Sequence, residues 1–297
     1  MHACVVYNSP NMYKAIDPKG YGLTKAKVTS LMKNYESFFA PLVGQAISLL
    51  ELGVHNGASL RFWRDYFENA TIVGLDCNPV RIDDSTGMIH VYQGYQQDIN
   101  LLDRIAREQA PDGFDVIIDD CSHIGRYARI SFWHLFQNHL KPGGFYAIED
   151  WRTGYVRSWP DGRHYKPKSR LEYPLHERML SGLSAYLSRQ FPNFPSLAKI
   201  PTFLVSSKIP SHTHGMVGFA KELLDGCALE ERAIPRTGTG RYLDYGISYI
   251  HISSGLIIIL KSRDRDAFEI NTILSKDGRF TSLAQKLISE EDGPILL

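Results

Sequence analysis

Two short stretches join an apolar lead-in to acidic side chains: Ile117-Ile118-Asp119-Asp120-Cys121-Ser122-His123 and Ile148-Glu149-Asp150-Trp151. Each reads as a buried strand running straight into carboxylates, which is costly unless something positive meets them. Asp120, Glu149 and Asp150 offer hard oxygen ligands, the preference of magnesium rather than zinc, and no Cys/His spacing competes for a softer metal. A divalent cation there would lower the pKa of a bound hydroxyl and orient it. His123, three residues beyond Asp120, is placed to remove the proton as general base. Which of Asp119 and Asp120 bonds the cation stays open. A lone Asp at a strand end more often caps a helix or pairs with an arginine, here Arg126, Arg129 or Arg152. The full set at two strand ends favours a site. His55, His90, His134, His139 and His251 are given no role.

Such a site needs a scaffold that delivers several strand ends to one edge. Short apolar runs predict strands at Ile47–Leu52, Ile72–Leu75, Met88–Tyr92, Val116–Ile118 and Phe145–Ile148. Between them, helices are expected at Ser59–Glu68, Ile99–Gln109 and Ala128–His139, with Lys141-Pro142-Gly143-Gly144 ending the last one and turning into the next strand. Strands alternating with helices imply a parallel sheet with right-handed crossovers, whose ligands sit beyond the carboxyl ends of the strands. Upstream, Thr24 is the expected N-cap of a helix carrying Val28, Leu31, Met32, Tyr35, Phe38 and Phe39 on one face. Downstream, Trp151 to Lys168 reads as an irregular cover whose Trp151, Tyr155 and Trp159 could line a pocket. A helix at Leu171–Phe191, a short one at Phe219–Leu224, a hairpin of Tyr249–Ile252 and Leu256–Lys261, and a last helix near Ser282–Ser289 complete the expectation. The organisation expected is a lead-in and helix over 1–44, a main domain over 45–265 with a lid at about 151–215, and a tail over 266–297.

Glu51-Leu52-Gly53-Val54-His55-Asn56-Gly57-Ala58-Ser59 follows the first strand and opens a helix. Gly53 and Gly57 permit a tight turn and close approach of a ligand. The spacing is not Gly-x-Gly-x-x-Gly, so the dinucleotide fingerprint does not fit. Asp76 ends the next strand, where the diol of a ribose would lie, and Gln96-Gln97-Asp98 follows the third strand, ready for an adenine edge. An acid in the glycine turn plus one after the second strand suits a positively charged adenosyl ligand better than a pyrophosphate.

With Phe114-Asp115-Val116-Ile117-Ile118-Asp119 added, this series resembles the class I S-adenosylmethionine-dependent methyltransferases, which have a Rossmann-like, mostly parallel sheet ending in an antiparallel hairpin. Leu50-Glu51-Leu52-Gly53-Val54, Trp63-Arg64-Asp65-Tyr66-Phe67, Val73-Gly74-Leu75-Asp76, Asp119-Asp120-Cys121-Ser122-His123 and Leu140-Lys141-Pro142-Gly143-Gly144 are similar to one branch, the metal-dependent sugar O-methyltransferases of macrolide biosynthesis. The similarity runs from about Tyr35 to Tyr155, plus the hairpin. It implies S-adenosylmethionine and Mg2+ (or another divalent cation) as cofactors, with Asp120, Glu149 and Asp150 as metal ligands and His123 as base. Glu51, Gly53, Val54, Gly57, Ser59, Asp76, Gln97, Asp98 and Asp119 would hold the cofactor, and the assembly would be a homo-oligomer. Cys121 stands where this branch usually has a glycine, and Leu23-Thr24-Lys25 replaces its Thr-Asp-Lys.

The 297 residues, 43% hydrophobic and 22% charged, suit a soluble enzyme, and a net charge of +1 gives no bulk attraction for nucleic acid or a membrane. Four dispersed cysteines and a start without a signal-peptide pattern lead to the expectation of a reduced, cytoplasmic protein, and the resemblance implies a small molecule with a hydroxyl acceptor as its substrate. Two other readings stand beside this one. A related branch carries a hydroxylase label, for which His123 and the carboxylates would hold iron. A non-catalytic binding protein on the same fold is the third.

Overall fold

The first strand, Ser48–Leu52 (β1), directs Leu49 to one side and Leu50 to the other, and each meets a separate apolar layer. The same alternation runs through Thr71–Asp76 (β2), Ile89–Gln93 (β3), Phe114–Asp119 (β4), Leu140–Glu149 (β5), Ile247–Ile252 (β6) and Leu256–Lys261 (β7). In this computed structural model the described residues are 17–23, 31–156, 158–164, 212–228 and 245–263, with single positions 183, 186, 187 and 190. The seven strands form one sheet in the order β3-β2-β1-β4-β5-β7-β6, parallel through β5 and antiparallel in the two last strands. Leu52 pairs with Leu75 and with Asp119, and Asp119 pairs with Ile148. The register therefore brings the carboxyl ends of β1, β2, β4 and β5 to one rim.

Helices Ile99–Gln109 (α3), Gly125–Asn138 (α4) and Gly215–Ala228 (α6) cover one face, over Leu50, Val73, Ile117, Tyr146 and Ile259. Met32–Phe39 (α1) and Ala58–Tyr66 (α2) cover the other, over Leu49, Ile72, Ile118 and Ile258. Fully burying a side chain such as Leu50 or Phe132 contributes roughly 1.5–3 kcal/mol. Tyr35 and Phe39 of α1 pack edge-on against Trp63 of α2, which locks the N-terminal helix to the sheet. A fifth short helix, Pro160–His164 (α5), follows a 3-10 turn at Trp151–Tyr155.

Several expectations shift. The expected helix over 219–224 is longer, running Gly215–Ala228, because Met216, Val217 and Phe219 are buried as well. Lys141-Pro142-Gly143-Gly144 is not the turn that ends α4: His139 ends it, and the four residues lie inside β5 where the β4–β5 register shifts after Phe114. Gly143, at φ +80, supplies the irregularity. The described part of the Trp151–Lys168 stretch is two helical turns rather than irregular chain. Thr24, Val28 and the helices expected at 171–191 and 282–289 lie outside the described residues, isolated positions apart. Among the described residues no helix is long and apolar enough to cross a membrane.

Candidate active site

The turn after β1 is shaped by contact with the β4 loop. Gly53 has φ +86, and a Cβ there would collide with the Asp120 carbonyl, so only glycine lets the two turns touch. Asp76, at the end of β2, holds this turn open. Its Oδ2 accepts from the backbone N–H of Val54 (2.9 Å) and His55 (2.8 Å), and its Oδ1 accepts from Asn78 N–H (2.8 Å). A carboxylate has about four lone-pair sites, so Oδ1 keeps one for a hydroxyl donor. Gly57, at φ +75, starts α2, and Ser59 is buried in its first turn.

Asp119 points into the layer under α4. Gln96 Nε2 donates to both of its oxygens (3.2 and 3.1 Å), and Ser131 Oγ lies 3.2 Å from Oδ2. Gln96 Oε1 accepts from Ser122 N–H at 3.1 Å, tying the β3 loop to the β4 loop. Burial pushes the Asp119 carboxyl up to about 6, against the opposing pull of His123 and of bonds from Cys121 N–H and Ser131. Gln96, expected at an adenine edge, is instead bonded to Asp119, Ser131 and Ser122 and organises this loop. Asp98 caps α3 by accepting from Leu101 N–H (3.1 Å), and Gln97 is half-buried beside it.

Glu51 and Glu149 face the opposite layer, beneath α1. Tyr35 OH donates to Glu149 Oε1 at 2.8 Å. Burial first, then the carboxylates of Glu149, Asp120 and Glu51, push the Tyr35 phenol well above its ordinary range. Glu149 is bonded to that hydroxyl, and the charges of Asp120 and Glu51 act on it.

At the rim itself, His123 Nε2 stands 3.7 Å from Asp120 Oδ1 and 4.0 Å from Asp150 Oδ2. One ligand atom from each of the three lies within 4.8 Å of the others. Among the described residues, the only non-glycines with positive φ are His55 (+53°), His123 (+52°) and Asp150 (+51°), in the loops after β1, β4 and β5. Left-handed backbone at a non-glycine costs about 1–3 kcal/mol, and such strain clusters at functional sites. Cys121 has no positive φ, so the backbone there does not demand the glycine usual in the branch it resembles. Two hard carboxylates and an imidazole converging at a strained rim suit a small divalent cation; Glu149, expected as a third carboxylate ligand, stands outside this group and is bonded by Tyr35.

No protein-family model matches the chain. A 135-residue segment is 41% identical to the mycinamicin VI 2''-O-methyltransferase of Micromonospora griseorubida, covering 43% of this chain and 32% of that protein. A 157-residue segment is 36% identical to the 8-demethyl-8-(2-methoxy-alpha-L-rhamnosyl)-tetracenomycin-C 3'-O-methyltransferase of Streptomyces olivaceus, covering 50% of this chain and 39% of that one. The matches thus span well under half the length of these curated relatives. The solved structure of the MycE methyltransferase in complex with Mg and SAH superimposes with a TM-score of 0.56 at 26% identity, over 85% of this chain and 55% of that one. The chain has a class I methyltransferase fold and resembles the antibiotic-sugar O-methyltransferases.

In this methyltransferase fold the segment after β5 packs over the rim. Thr153 Oγ1 donates to the His123 carbonyl (3.1 Å), and the Trp159 ring lies 5.8 Å from the imidazole. Trp151 is a strut rather than a free wall: its indole N–H donates to the Ser253 carbonyl at 2.9 Å. Tyr155 rests edge-on against His212. Asp150 N–H donates to the Gly255 carbonyl (2.8 Å), so the hairpin turn of β6–β7 fixes the strained residue. Buried Asp161 accepts on one oxygen from Gly125 N–H (2.8 Å) and Met216 N–H (2.7 Å), pinning the starts of α4 and α6 together. No motif in the sequence marked Asp161; a lone acid before a glycine carries no such signal.

Proposed function

We propose that the chain is an S-adenosylmethionine-dependent O-methyltransferase that uses a divalent cation, Mg2+ by donor type, and a histidine base on a hydroxyl of a specialised metabolite, a glycosyl hydroxyl being favoured. The observation that carries this reading is the convergence of Asp120, His123 and Asp150 at the rim that the glycine turn and Asp76 share. Identity to two sugar O-methyltransferases, and the likeness to MycE bound to Mg and SAH, support it.

Asp120, Asp150 and Glu149 would hold the cation. When bound, the cation lowers the pKa of the acceptor hydroxyl, and the sulfonium of S-adenosylmethionine supplies the methyl group. His123 takes the hydroxyl proton on Nε2, the nitrogen that faces both carboxylates. Thr153 and the left-handed backbone keep that ring aimed at the rim. On the cofactor side, the free lone pair of Asp76 accepts a ribose hydroxyl, and Gly53 with Val54 and Gly57 presents bare backbone to the donor. Glu51 and Asp119 supply negative charge on either side, Ser59 supports the α2 start, and Gln97 with Asp98 borders the adenine. Trp159 bounds the acceptor, and the turns Trp151–Tyr155 and Pro160–His164 form part of its cover. Alignment of hydroxyl and methyl carbon contributes beside deprotonation.

Titration calorimetry with S-adenosylmethionine and a methyl-transfer assay on glycosylated polyketide acceptors, with and without chelator, test the proposal. Binding and chelator-sensitive transfer are expected. Absence of cofactor binding overturns it, and chelator-insensitive transfer removes the cation. One imidazole between two carboxylates also suits an iron-dependent hydroxylase; iron retained after anaerobic purification, with no methyl transfer, would favour that reading.

A further inference from the structure

At the end of the sheet away from the rim, Asp103 of α3 meets two histidines. His134 Nε2 lies 2.8 Å and His139 Nε2 2.6 Å from the same Asp103 oxygen, Oδ1. We propose that Asp103, His134 and His139 form a second metal site, for zinc or a similar borderline divalent cation, which clasps α3 to α4.

The geometry depends on where α4 ends. On an unbroken helix, residues five apart point about 140° from one another, given about 100° per residue. His139 leaves the helix at φ −129 and ψ −4, which swings its ring back beside His134, with centroids 5.3 Å apart. Its backbone is fixed there: His139 N–H donates to the Leu135 carbonyl (2.8 Å), and its carbonyl accepts from Phe114 N–H (2.7 Å). Asn138 Nδ2 bonds the His134 carbonyl at 2.9 Å, holding the last turn of α4. Two imidazoles and one carboxylate are a donor set that zinc accepts, with solvent as fourth ligand.

All three ligand atoms lie within 4.8 Å of one another. Tetrahedral zinc with bonds near 2.0–2.2 Å needs N···O separations of about 3.4 Å, so from 2.8 and 2.6 Å the rings must back away from Asp103 by about 0.6–0.8 Å. Side-chain exposures of 35% for Asp103, 17% for His134 and 18% for His139 leave room for that movement and for a bound water. The site sits beside Leu140, at the start of ten-residue β5, whereas Glu149 ends that strand at the rim. At about 3.3 Å per residue, the two sites are of order 25–30 Å apart, so this metal would brace the fold and take no part in methyl transfer.

The experiment uses the full chain carrying Asp120→Asn and Asp150→Asn, which remove two of the three carboxylates proposed to hold the rim cation, and titrates it with Co2+ followed by visible absorption. One equivalent with a tetrahedral-type spectrum is expected. His139→Ala or Asp103→Asn in that background should lose it or bind at least tenfold more weakly. Zn2+ should raise the thermal midpoint of the parent and leave that of either variant unmoved. Asp103→Asn keeps shape and volume, so it decides the matter if His139→Ala does not fold. No binding by the parent, or equal binding by parent and folded variant, overturns the proposal.

Discussion

Tyr35 donates its phenolic hydrogen to Glu149 Oε1 at 2.8 Å, joining the N-terminal helix to the end of β5 across 114 positions of sequence. Asn34, its neighbour, reaches the Ser253 hydroxyl of the hairpin turn, so α1 braces the rim from below at two points. A group that orients a ligating carboxylate typically changes metal affinity by about 10–100-fold when removed. Tyr35→Phe should therefore raise the magnesium concentration for half-maximal methyl transfer by about tenfold or more, with a smaller change in the KM for S-adenosylmethionine. Magnesium titrations of the two proteins measure this. Identical half-saturation would show that Tyr35 serves packing alone.

His123 faces two carboxylates, and its carbonyl is tied to Thr153, so the ring is held while Nε2 stays available. Loss of a general base costs typically 10²–10⁴-fold in rate, about 3–5 kcal/mol of barrier. His123→Ala should lower kcat by that range while leaving the Kd for S-adenosylmethionine within a few-fold. Single-turnover rates and calorimetry separate the two. A loss of cofactor binding equal to the loss of rate would place His123 in the cofactor site instead.

The sheet was legible because β-strand alternation and glycine turns are local signals, and every parallel strand expected is present. So was the rim, since Asp119 to His123 and Glu149–Asp150 are contiguous in sequence. What escaped depends on distance. Gln96 and Tyr35 act on acids 23 and 114 positions away, and no window of sequence joins them. Asp161 is a single acid whose partners are backbone N–H groups, which have no sequence signature. His134 and His139 carry no joint signal, since a five-residue spacing does not share a helical face; the helix end that unites them is a structural event.

Asp161 holds two buried backbone donors with one oxygen, and Gly215 stands so close that any Cβ there would strike the carboxyl group. A buried donor left without a partner costs about 1–3 kcal/mol. Asp161→Ala strands two, at the starts of α4 and α6, so unfolding free energy should fall by about 2–4 kcal/mol. Denaturant unfolding with an unchanged m-value would report it. Because α4 begins two residues after His123, activity should fall at temperatures well below the unfolding midpoint. A stability loss within 0.5 kcal/mol, the usual range for surface substitutions, would mean water replaces the carboxylate.

Lys261, near the end of β7, is buried with its Nζ against the carbonyls of Phe136, Gln137 (3.2 Å) and Leu140 (2.7 Å), at the carboxyl end of α4. The carbonyls and the negative end of the helix favour the ammonium form. Burial acts the other way and brings its pKa down from 10.5 to about 8. A folded-state pKa below the unfolded value means the unfolded chain binds more protons between those limits. Unfolding free energy therefore rises with pH through this window, and the cost of burying the charge is in full force below pH 8. Lys261→Met removes the titrating group. The stability of the wild type minus that of the variant should climb between pH 8 and 10.5 and be flat from pH 6 to 7.5, as read from paired denaturant titrations. A flat difference throughout would show that the three carbonyls offset burial and hold the lysine at its ordinary pKa.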